Sequence, residues 1–557
     1  MCVTKSYDRY STKPYERRNR ILRERVRAMA SPKQKLAESL EALHKLQQRG
    51  VVAIRSADLS RTDRERLIDS GFLQKILKGW YIASRLDEAA GENTAWYASF
   101  WDFCAAYFSE RFGKGWCLSP EQSLSLHGGN RTVPAQLLVR APKGSNKPTA
   151  LPHGTSFFDV RYAMPKDSET VERDGLRLYS VPAALVAVSE DLFRRHPTDV
   201  RAAMAAIKDA SDVLALLLEG GHSVVAGRLA GAFRNSGQER IADEIVKTME
   251  AAGYTVRETD PFEHRPATLL ATREASPYVN RIRLMWAAMR EPVLKAFPAP
   301  PGIPKKRDTY LKAVEEVYVT DAYHSLSIEG YRVSPELIEE ARSGEWKPDG
   351  NPEDRENRNA LAARGYYDAF VTVKASVEKV LSGENAGQVA HDDHAEWYRR
   401  LFGPSVTAGI IAASDLAGYR TGPVYIRRSM HVPPSREAVR DCMPALFDLL
   451  KEEAEPSVRV VLGHFVFVYI HPYIDGNGRM GRFLMNVMLA SGGYPWTVIP
   501  LERCDDYMAA LESASVKQDI KPFATFLAGL VRANRSESRG APPQSTTQEP
   551  FGSSNSG

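Results

Sequence analysis

Residues His471–Arg482 read HPYIDGNGRMGR and are the most informative stretch of this chain. The residues before them, 458–470, are apolar at nearly every position, which predicts a buried helix that Pro472 ends. A second helix is predicted to begin near Gly478 and to run to the Ser491-Gly492-Gly493 stop signal. The stretch therefore predicts a tight turn between two buried helices, and this pair organises the C-terminal half.

The turn itself, Gly476-Asn477-Gly478, predicts an anion site. Glycine adopts positive φ without steric cost, so successive backbone N–H groups can face one point at the N-terminus of a helix. Phosphate is the anion that such a nest suits. The alternative is a glycine-rich corner between helices with solvated arginines. Any three of these residues alone would favour that alternative, but the whole run at this spacing does not.

Four side chains of the same stretch suit nucleotide chemistry. Asp475 offers a hard carboxylate oxygen of the kind that Mg²⁺ prefers. Arg479 and Arg482 lie three residues apart on one helix face, where two guanidinium groups can hold phosphate oxygens. His471 carries an imidazole, which in its unperturbed state accepts a proton near neutral pH.

The whole run matches the signature of the Fic family, His-Pro-Phe-x-Asp/Glu-Gly-Asn-Gly-Arg-x-x-Arg, with Tyr473 where Phe is usual. This resemblance implies a protein adenylyltransferase, which transfers AMP from ATP to a Ser, Thr or Tyr hydroxyl of a target protein. It implies that His471 is the catalytic base and that Asp475 holds Mg²⁺. The residues implied to bind the ATP phosphates are Gly476, Asn477, Gly478, Arg479 and Arg482.

A second motif lies upstream, where residues 325–330 read SLSIEG and resemble the inhibitory motif of Fic proteins, Ser/Thr-x-x-x-Glu-Gly/Asn. Ser325 and Glu329 are four residues apart and share a helix face, and Gly330 follows. The resemblance implies that Glu329 pairs with Arg482 in the place of the γ-phosphate of ATP, which inhibits the enzyme in cis.

Residues 418–426, which end in Val424, Tyr425 and Ile426, resemble the flap of the same family. The flap is expected to be a hairpin over the active site, and its strand edge can dock a target peptide by β-augmentation. An ordinary edge hairpin is the alternative.

The N-terminal region, residues 32–85, is predicted to contain three short helices followed by a hairpin. The helices are predicted at 32–48, 56–59 and 61–68, and the strands at 71–76 and 79–82. This order resembles the winged helix-turn-helix of AbiEi-type antitoxins, and it implies DNA as a partner. The basic residues for that contact are Arg61, Arg64, Arg66, Lys75 and Lys78. Contact with protein is the equally open alternative.

Length and composition set the remaining organisation. A chain of 557 residues with 43% apolar and 26% charged residues is typical of a globular protein with three or four folding units. The predicted fold is multidomain α+β, in which a winged helix and an α+β region precede a mainly α-helical Fic domain. The predicted divisions are a basic arm (1–31), the winged helix (32–85), an AbiEi-like α+β and helical region (86–258), the Fic domain (259–536, inhibitory helix near 318–330) and a disordered tail (537–557).

Composition also limits the compartment and the partners. The five scattered cysteines form no CxxC pair, which disfavours a zinc site or a disulfide framework and indicates a reducing compartment. No segment reaches the ~18 apolar residues that a membrane span needs. The sequence therefore predicts a cytoplasmic protein without a membrane partner, and a homo-oligomer is compatible with it.

Two other functions stay open. The first is a different enzyme activity: the chain also resembles Fic relatives that remove AMP or transfer another phosphate-containing group. It also fits a DNA-binding, antitoxin-like regulator whose Fic half senses a nucleotide.

Overall fold

The computed structural model of the chain describes residues 31–84, 94–264, 276–344 and 358–537. The predicted basic arm (1–31) and disordered tail (537–557) lie outside these residues, apart from Ser31 and Glu537. By their internal contacts the residues form two compact units. The first comprises the chain up to Cys117 with 134–164 and 172–177; the second comprises 118–133, 165–171 and everything from Leu178. The predicted domain boundaries stay predictions.

The described residues of the first unit form three helices and several short strands. Its helices span Pro32–Gln48, Arg61–Asp69 and Thr94–Phe112, and its strands span Ile54–Arg55, Leu73–Leu77, Trp80–Ala83, Gln136–Ala141, Pro148–Ala150 and Ser156–Arg161. Three more strands, Cys117–Leu118, Thr170–Arg173 and Leu176–Tyr179, fall where the sequence passes from one unit to the other. Strand Gln136–Ala141 pairs in parallel with Ser156–Arg161, which pairs antiparallel with Pro148–Ala150.

Residues 31–84 contain two helices and a hairpin, so the predicted helix at 56–59 is wrong. Residues 56–59 form a turn, because the backbone N–H of Arg55 donates to the Asp58 carboxylate (2.8 Å) and that of Ser56 donates to the Gly79 carbonyl (2.9 Å). Four residues are too few to nucleate a helix against such contacts. The predicted helices at 32–48 and 61–68 and both strands are present. With two helices in place of three, the winged helix-turn-helix stays a prediction.

The second unit is mainly helical, as predicted for the C-terminal part. Its helices span Pro120–His127, Val181–Ala187, Glu190–Arg195, Pro197–Met204, Ser211–Gly220, Ser223–Asn235, Glu239–Ala251, Pro277–Ala296, Arg307–Glu316, Tyr318–Ile328, Pro335–Ser343, Arg358–Leu381, Ala386–Thr407, Arg436–Glu452, Pro456–Ile470, Asn477–Ser491, Cys504–Lys517 and Lys521–Glu537.

Two consecutive helices, Pro456–Ile470 and Asn477–Ser491, form the centre of this unit and pack against each other. Both are buried along almost their whole length, which explains why the sequence of the first is apolar all round. Gly481 allows the close approach, since a Cβ there would lie 2.9 Å from the Val468 side chain. The buried helix, the turn and the second helix are confirmed. None of the described helices is long and apolar enough to cross a membrane.

Candidate active site

His471 ends the helix Pro456–Ile470 in a left-handed conformation, with φ 54° and ψ 61°. Non-glycine residues rarely adopt it, and here it turns the chain out of the helix before Pro472. Nδ1 of the ring lies 3.2 Å from the carbonyl oxygen of Val468, to which it donates a hydrogen bond. Nε2 is thereby left as the acceptor. Burial lowers the pKa of His471 to about 4, so the ring is neutral at physiological pH and can take a proton.

Gly476 begins the following helix with φ 79°, and a Cβ at this position would lie 2.7 Å from the Phe402 ring. Only glycine fits there. The Asn477 amide holds the turn from inside: Oδ1 accepts from the Tyr473 N–H (2.9 Å), and Nδ2 donates to the Tyr473 carbonyl (2.8 Å). The Asn477 side chain therefore shapes the loop. Its predicted contact with phosphate stays a prediction. The backbone N–H groups of the first helical turn, which have no acceptor within a helix, also suit an anion.

Arg479 is a buried guanidinium with donors to spare, since its side chain is only 1% exposed. It lies between the rings of Tyr331 (5.2 Å) and Phe402 (4.9 Å). Among the described residues neither Nε nor Nη2 has a hydrogen-bond acceptor, and Asp475 Oδ2 is 3.5 Å from Nη2. A buried donor without an acceptor is costly, so Arg479 is suited to an anionic ligand.

Asp475 lies at the rim of the site with its side chain 58% exposed. Its Oδ1 accepts a hydrogen bond from the Gly476 N–H. No group of three or more His, Cys, Asp or Glu side chains that could hold a metal occurs in the part of the chain that the structure describes. A single exposed carboxylate nevertheless fits Mg²⁺, which keeps several waters and is commonly bound by one or two carboxylates together with substrate phosphates.

Arg482 is buried and contacts the predicted inhibitory motif. Its Nε donates to the Ser325 hydroxyl (2.8 Å), and its Nη2 donates to the Ser325 carbonyl (3.0 Å) and to Glu329 Oε1 (2.7 Å). The structure therefore brings Glu329 and Arg482 together. Burial alone would raise the pKa of Glu329, but Arg482 and Arg479 lower it, so the carboxylate is ionised. It lies so close to Gly478 that a Cβ there would collide with it.

Gly330 ends the helix that carries the motif, with φ 86°. The Gly330 N–H donates to the Ser327 carbonyl, and the Tyr331 N–H donates to the Leu326 carbonyl (3.1 Å). This left-handed helix end turns the chain so that Tyr331 reaches the Arg479 guanidinium. Gly330 therefore contributes backbone geometry to the predicted inhibitory motif, and its inhibitory role stays a prediction.

The predicted hairpin at 418–426 is wrong. Residues 417–435, all of which the structure describes, contain no strand. Proline at 423, 433 and 434 removes backbone donors, and Arg428 has a positive φ of 59°, which breaks an extended path. Val424 is buried, Ile426 is half-buried and Tyr425 is exposed. Docking of a target here stays a prediction.

Arg420, which the sequence analysis did not single out, connects this segment to the turn at His471 and Pro472. Its Nε donates to the His471 carbonyl (2.8 Å), and its backbone N–H donates to the Pro472 carbonyl (2.9 Å). The guanidinium also donates to the carbonyls of Gly422 and Pro434. Backbone acceptors leave no trace in a sequence, so its place inside the flap-like segment was the only signal.

A cavity of about 190 Å³ opens beside Asp475. Aromatic and aliphatic side chains form most of its wall, with two carboxylates and one arginine. The lining residues are Tyr331, Arg358, Tyr398, Phe402, Ser405, Ile410, Ile411, Asp415, Ile474 and Asp475. Since Tyr331 and Phe402 also flank Arg479, the cavity adjoins the spare guanidinium donors.

Comparison with known proteins finds similar sequences for this region. Residues 389–489 match the sequence model of the Fic/DOC family. The chain is 30% identical to the protein adenylyltransferase Fic of Nematostella vectensis over 239 residues, which are 42% of this chain and 51% of that protein. It is also 30% identical to the protein of that name from Drosophila willistoni over 221 residues, 39% of this chain and 41% of the relative. The chain thus matches about half the length of these relatives or less.

Solved structures are also similar. Fic-1 from Caenorhabditis elegans is 19% identical, with 65% of this chain and 91% of that chain covered and a TM-score of 0.35. A Fic-domain-containing signaling protein from Bacteroides thetaiotaomicron is 19% identical, with 49% and 100% covered and a TM-score of 0.31.

Proposed function

We propose, for a chain that carries a Fic/DOC family domain over residues 389–489, that it is a protein adenylyltransferase that moves AMP from ATP to a Ser, Thr or Tyr hydroxyl of a target protein. One observation carries the proposal. His471 is neutral, its Nε2 is an acceptor, and it lies at the start of the turn between the two central helices. The helix after that turn begins with backbone N–H groups that suit an anion and carries Arg479, whose Nε and Nη2 have no acceptor among the described residues. A base beside a phosphate seat is what AMP transfer needs.

The reaction would proceed by attack of the target hydroxyl oxygen on the α-phosphorus of ATP. The new O–P bond forms as the bond from the α-phosphorus to the β-phosphate oxygen breaks, and pyrophosphate leaves. His471 Nε2 takes the hydroxyl proton, while its Nδ1 stays bonded to the Val468 carbonyl. The N–H groups at 477–478 and the guanidinium of Arg479 hold phosphate oxygens. Positioning and electrostatic stabilisation supply most of the rate.

Asp475 would hold Mg²⁺ through its exposed carboxylate, together with phosphate oxygens of ATP. When bound, the ion neutralises phosphate charge and favours departure of pyrophosphate. The 2.5 Å hydrogen bond from the Gly476 N–H fixes Oδ1 at the rim of the turn, where a metal-bound nucleotide would arrive.

Glu329 would inhibit the transfer in cis, since it already occupies the Arg482 donor that an outer phosphate would use. Like charge strengthens the effect, because an ionised Glu329 beside the phosphate seat repels the nucleotide. ATP would then bind with its α-phosphate away from the line of attack.

The test is labelling from ATP that carries its label on the α-phosphate. Glu329→Gly is expected to raise transfer to the chain itself or to lysate proteins by about tenfold or more, a normal size for coupling between sites. The added change His471→Ala should remove it, since a general base contributes about 10²–10⁴-fold. Glu316→Gly is the matched control. This glutamate also stands at a helix end, and in the described part of the chain its ion-pair partner is the exposed Lys312 (3.8 Å).

An inactive Glu329→Gly protein that still binds ATP would refute AMP transfer. Release of AMP from AMP-modified proteins by the unaltered chain would instead assign the alternative, AMP removal. Label that appears only from the γ-phosphate of ATP would assign transfer of a phosphoryl group. Mass spectrometry of the labelled proteins then identifies the target and its hydroxyl.

A further inference from the structure

A buried ion pair lies behind the catalytic helix and plays no part in the mechanism above. Asp199, on the helix Pro197–Met204, pairs with Arg281, on the helix Pro277–Ala296, and both side chains are at most 2% exposed. The other Asp199 oxygen accepts from the Ser125 hydroxyl (2.8 Å) and from the Asn130 amide (2.9 Å). The carboxylate is thus held by groups from two other segments, residues 125–130 and the helix Pro277–Ala296, both outside residues 389–489.

The pair is connected to the catalytic helix by one hydroxyl. Arg281 Nε donates to the Tyr469 hydroxyl (2.9 Å), and Tyr469 stands two residues before His471 in the last turn of its helix. The Tyr469 ring stacks on that of His431 at 3.9 Å, and His431 Nε2 donates to the Tyr469 carbonyl (2.9 Å). The side chain and the backbone of Tyr469 are therefore both fixed.

Stability alone is a weak reason for such a pair. Taking two charges out of water is expensive, and apolar residues of similar volume often serve stability as well or better. A guanidinium differs from them in direction, because its planar fork points each N–H at one acceptor. Here one side of the fork is fixed by Asp199, and Nε is aimed at the last turn before the strained His471.

We propose that Asp199 and Arg281 are positioning residues for His471 and act through the hydroxyl of Tyr469. The helix end that they hold sets the place of the His471 backbone, and with it the distance from Nε2 to the target hydroxyl. Misplacement of a reacting group by about 1 Å costs about 10²-fold in rate, so a fraction of that shift costs about tenfold. This inference rests on the proposed AMP transfer.

The test uses the full chain in the Glu329→Gly background with Tyr469→Phe, which removes one oxygen and keeps the ring that stacks on His431. The expected result is a kcat for AMP transfer that falls about tenfold, with KM for ATP unchanged within twofold, because none of these groups contacts the phosphates. Tyr310→Phe is the matched control, since its hydroxyl donates to a backbone carbonyl, that of Tyr494 (2.6 Å). It should leave both constants unchanged.

A second readout does not depend on activity. With histidine-selective isotope labelling, the ring signal of His471, assigned by its loss in His471→Ala, should shift in Tyr469→Phe and stay in place in Tyr310→Phe. A Glu329→Gly parent without transfer would refute the proposed function, and the ring signal would still decide the positioning role. A kcat within twofold of the parent, an equal loss in Tyr310→Phe, or an unmoved His471 signal would overturn the inference.

Discussion

Two groups of arginines were predicted to bind phosphate, and they differ in how their donors are used. In the catalytic turn, Arg479 is buried and keeps two N–H donors without an acceptor among the described residues. On the helix Arg61–Asp69, Arg64 donates to the Leu59 carbonyl (2.7 Å), and Arg66 donates to the Lys35 carbonyl (2.9 Å) and the Ser39 hydroxyl (2.6 Å). Arg64 and Arg66 each use Nη1 to bond to groups of their own small region.

The comparison shows that Arg479 differs from these arginines in two ways: its side chain is 1% exposed, and both Nε and Nη2 have no acceptor among the described residues. Arg61 Nε is bonded to Glu65 Oε1 as well (2.8 Å), on a side chain that is 84% exposed. DNA binding stays a prediction, and the exposed Lys75 and Lys78 also support it. Lysine is a point charge that needs no preset geometry to contact a phosphate.

The largest effect is expected from Arg479→Lys in the Glu329→Gly background. Lysine keeps the charge but loses the planar fork and its stacking between two rings, so kcat/KM for AMP transfer should fall about 10–100-fold. Steady-state labelling over a range of ATP concentrations measures it. Arg364→Lys is the control, because Arg364 also lies near an aromatic ring, that of Tyr367 (5.7 Å), and pairs with Asp368 (3.1 Å).

Equal losses in the two variants would mean that arginine stacking supports the fold of this unit in general. The comparison with Arg64 would then lose its meaning, since spare donors would no longer single out Arg479.

A smaller effect is expected from Arg64→Ala, and it should appear in stability alone. The carbonyl oxygens of Ser56 and Leu59 lose their donor, which lowers the free energy of unfolding by about 1–2 kcal/mol without changing AMP transfer. Lys78→Ala should leave stability unchanged. Chemical denaturation followed by circular dichroism measures both.

Binding to DNA would invert this pattern. Lys78→Ala would then weaken a salt-dependent complex with duplex DNA, and Arg64→Ala would weaken it only as far as it unfolds the region. If Arg64→Ala reduces DNA binding without lowering stability, the donors of Arg64 are available to a phosphate. The two groups of arginines would then not differ in the availability of their donors.

The same contrast explains how much the sequence predicted. The two buried helices and the turn between them were predicted from local patterns, an apolar run followed by proline and glycine. The structure contains both helices and the turn. The contact between Glu329 and Arg482 spans 153 residues and came only from the resemblance to a known motif. A helix at 56–59 and a hairpin at 418–426 were wrong because side chains and prolines competed with regular backbone pairing.

What the sequence missed was charge buried at long range. Arg281 reaches Asp199 across 82 residues and Tyr469 across 188. Arg420 finds its acceptors among backbone carbonyls, which every residue possesses. In both cases the residue type was visible, but the acceptor was set by the folded chain.

The smallest effect is expected from a change of pH. This experiment tests whether burial distinguishes the turn at His471 from the exposed helix Arg61–Asp69. A base with the ordinary histidine pKa of about 6.5 would lose about fourfold in its neutral fraction between pH 8 and 6. Burial lowers the pKa of His471 to about 4, so kcat/KM of Glu329→Gly at saturating Mg²⁺ should change less than twofold over this range.

The lowered pKa of His471 also makes the stability of the fold depend on pH. The unfolded chain binds the His471 proton near pH 6.5 and the folded chain only near 4, so stability is full above 6.5 and declines as pH falls toward 4. Initial rates should therefore be measured with the circular dichroism signal held constant. A half-maximal rate near pH 6.5 in fully folded protein would mean that the His471 ring is exposed to water. Burial would then no longer distinguish the turn at His471 from the exposed helix Arg61–Asp69.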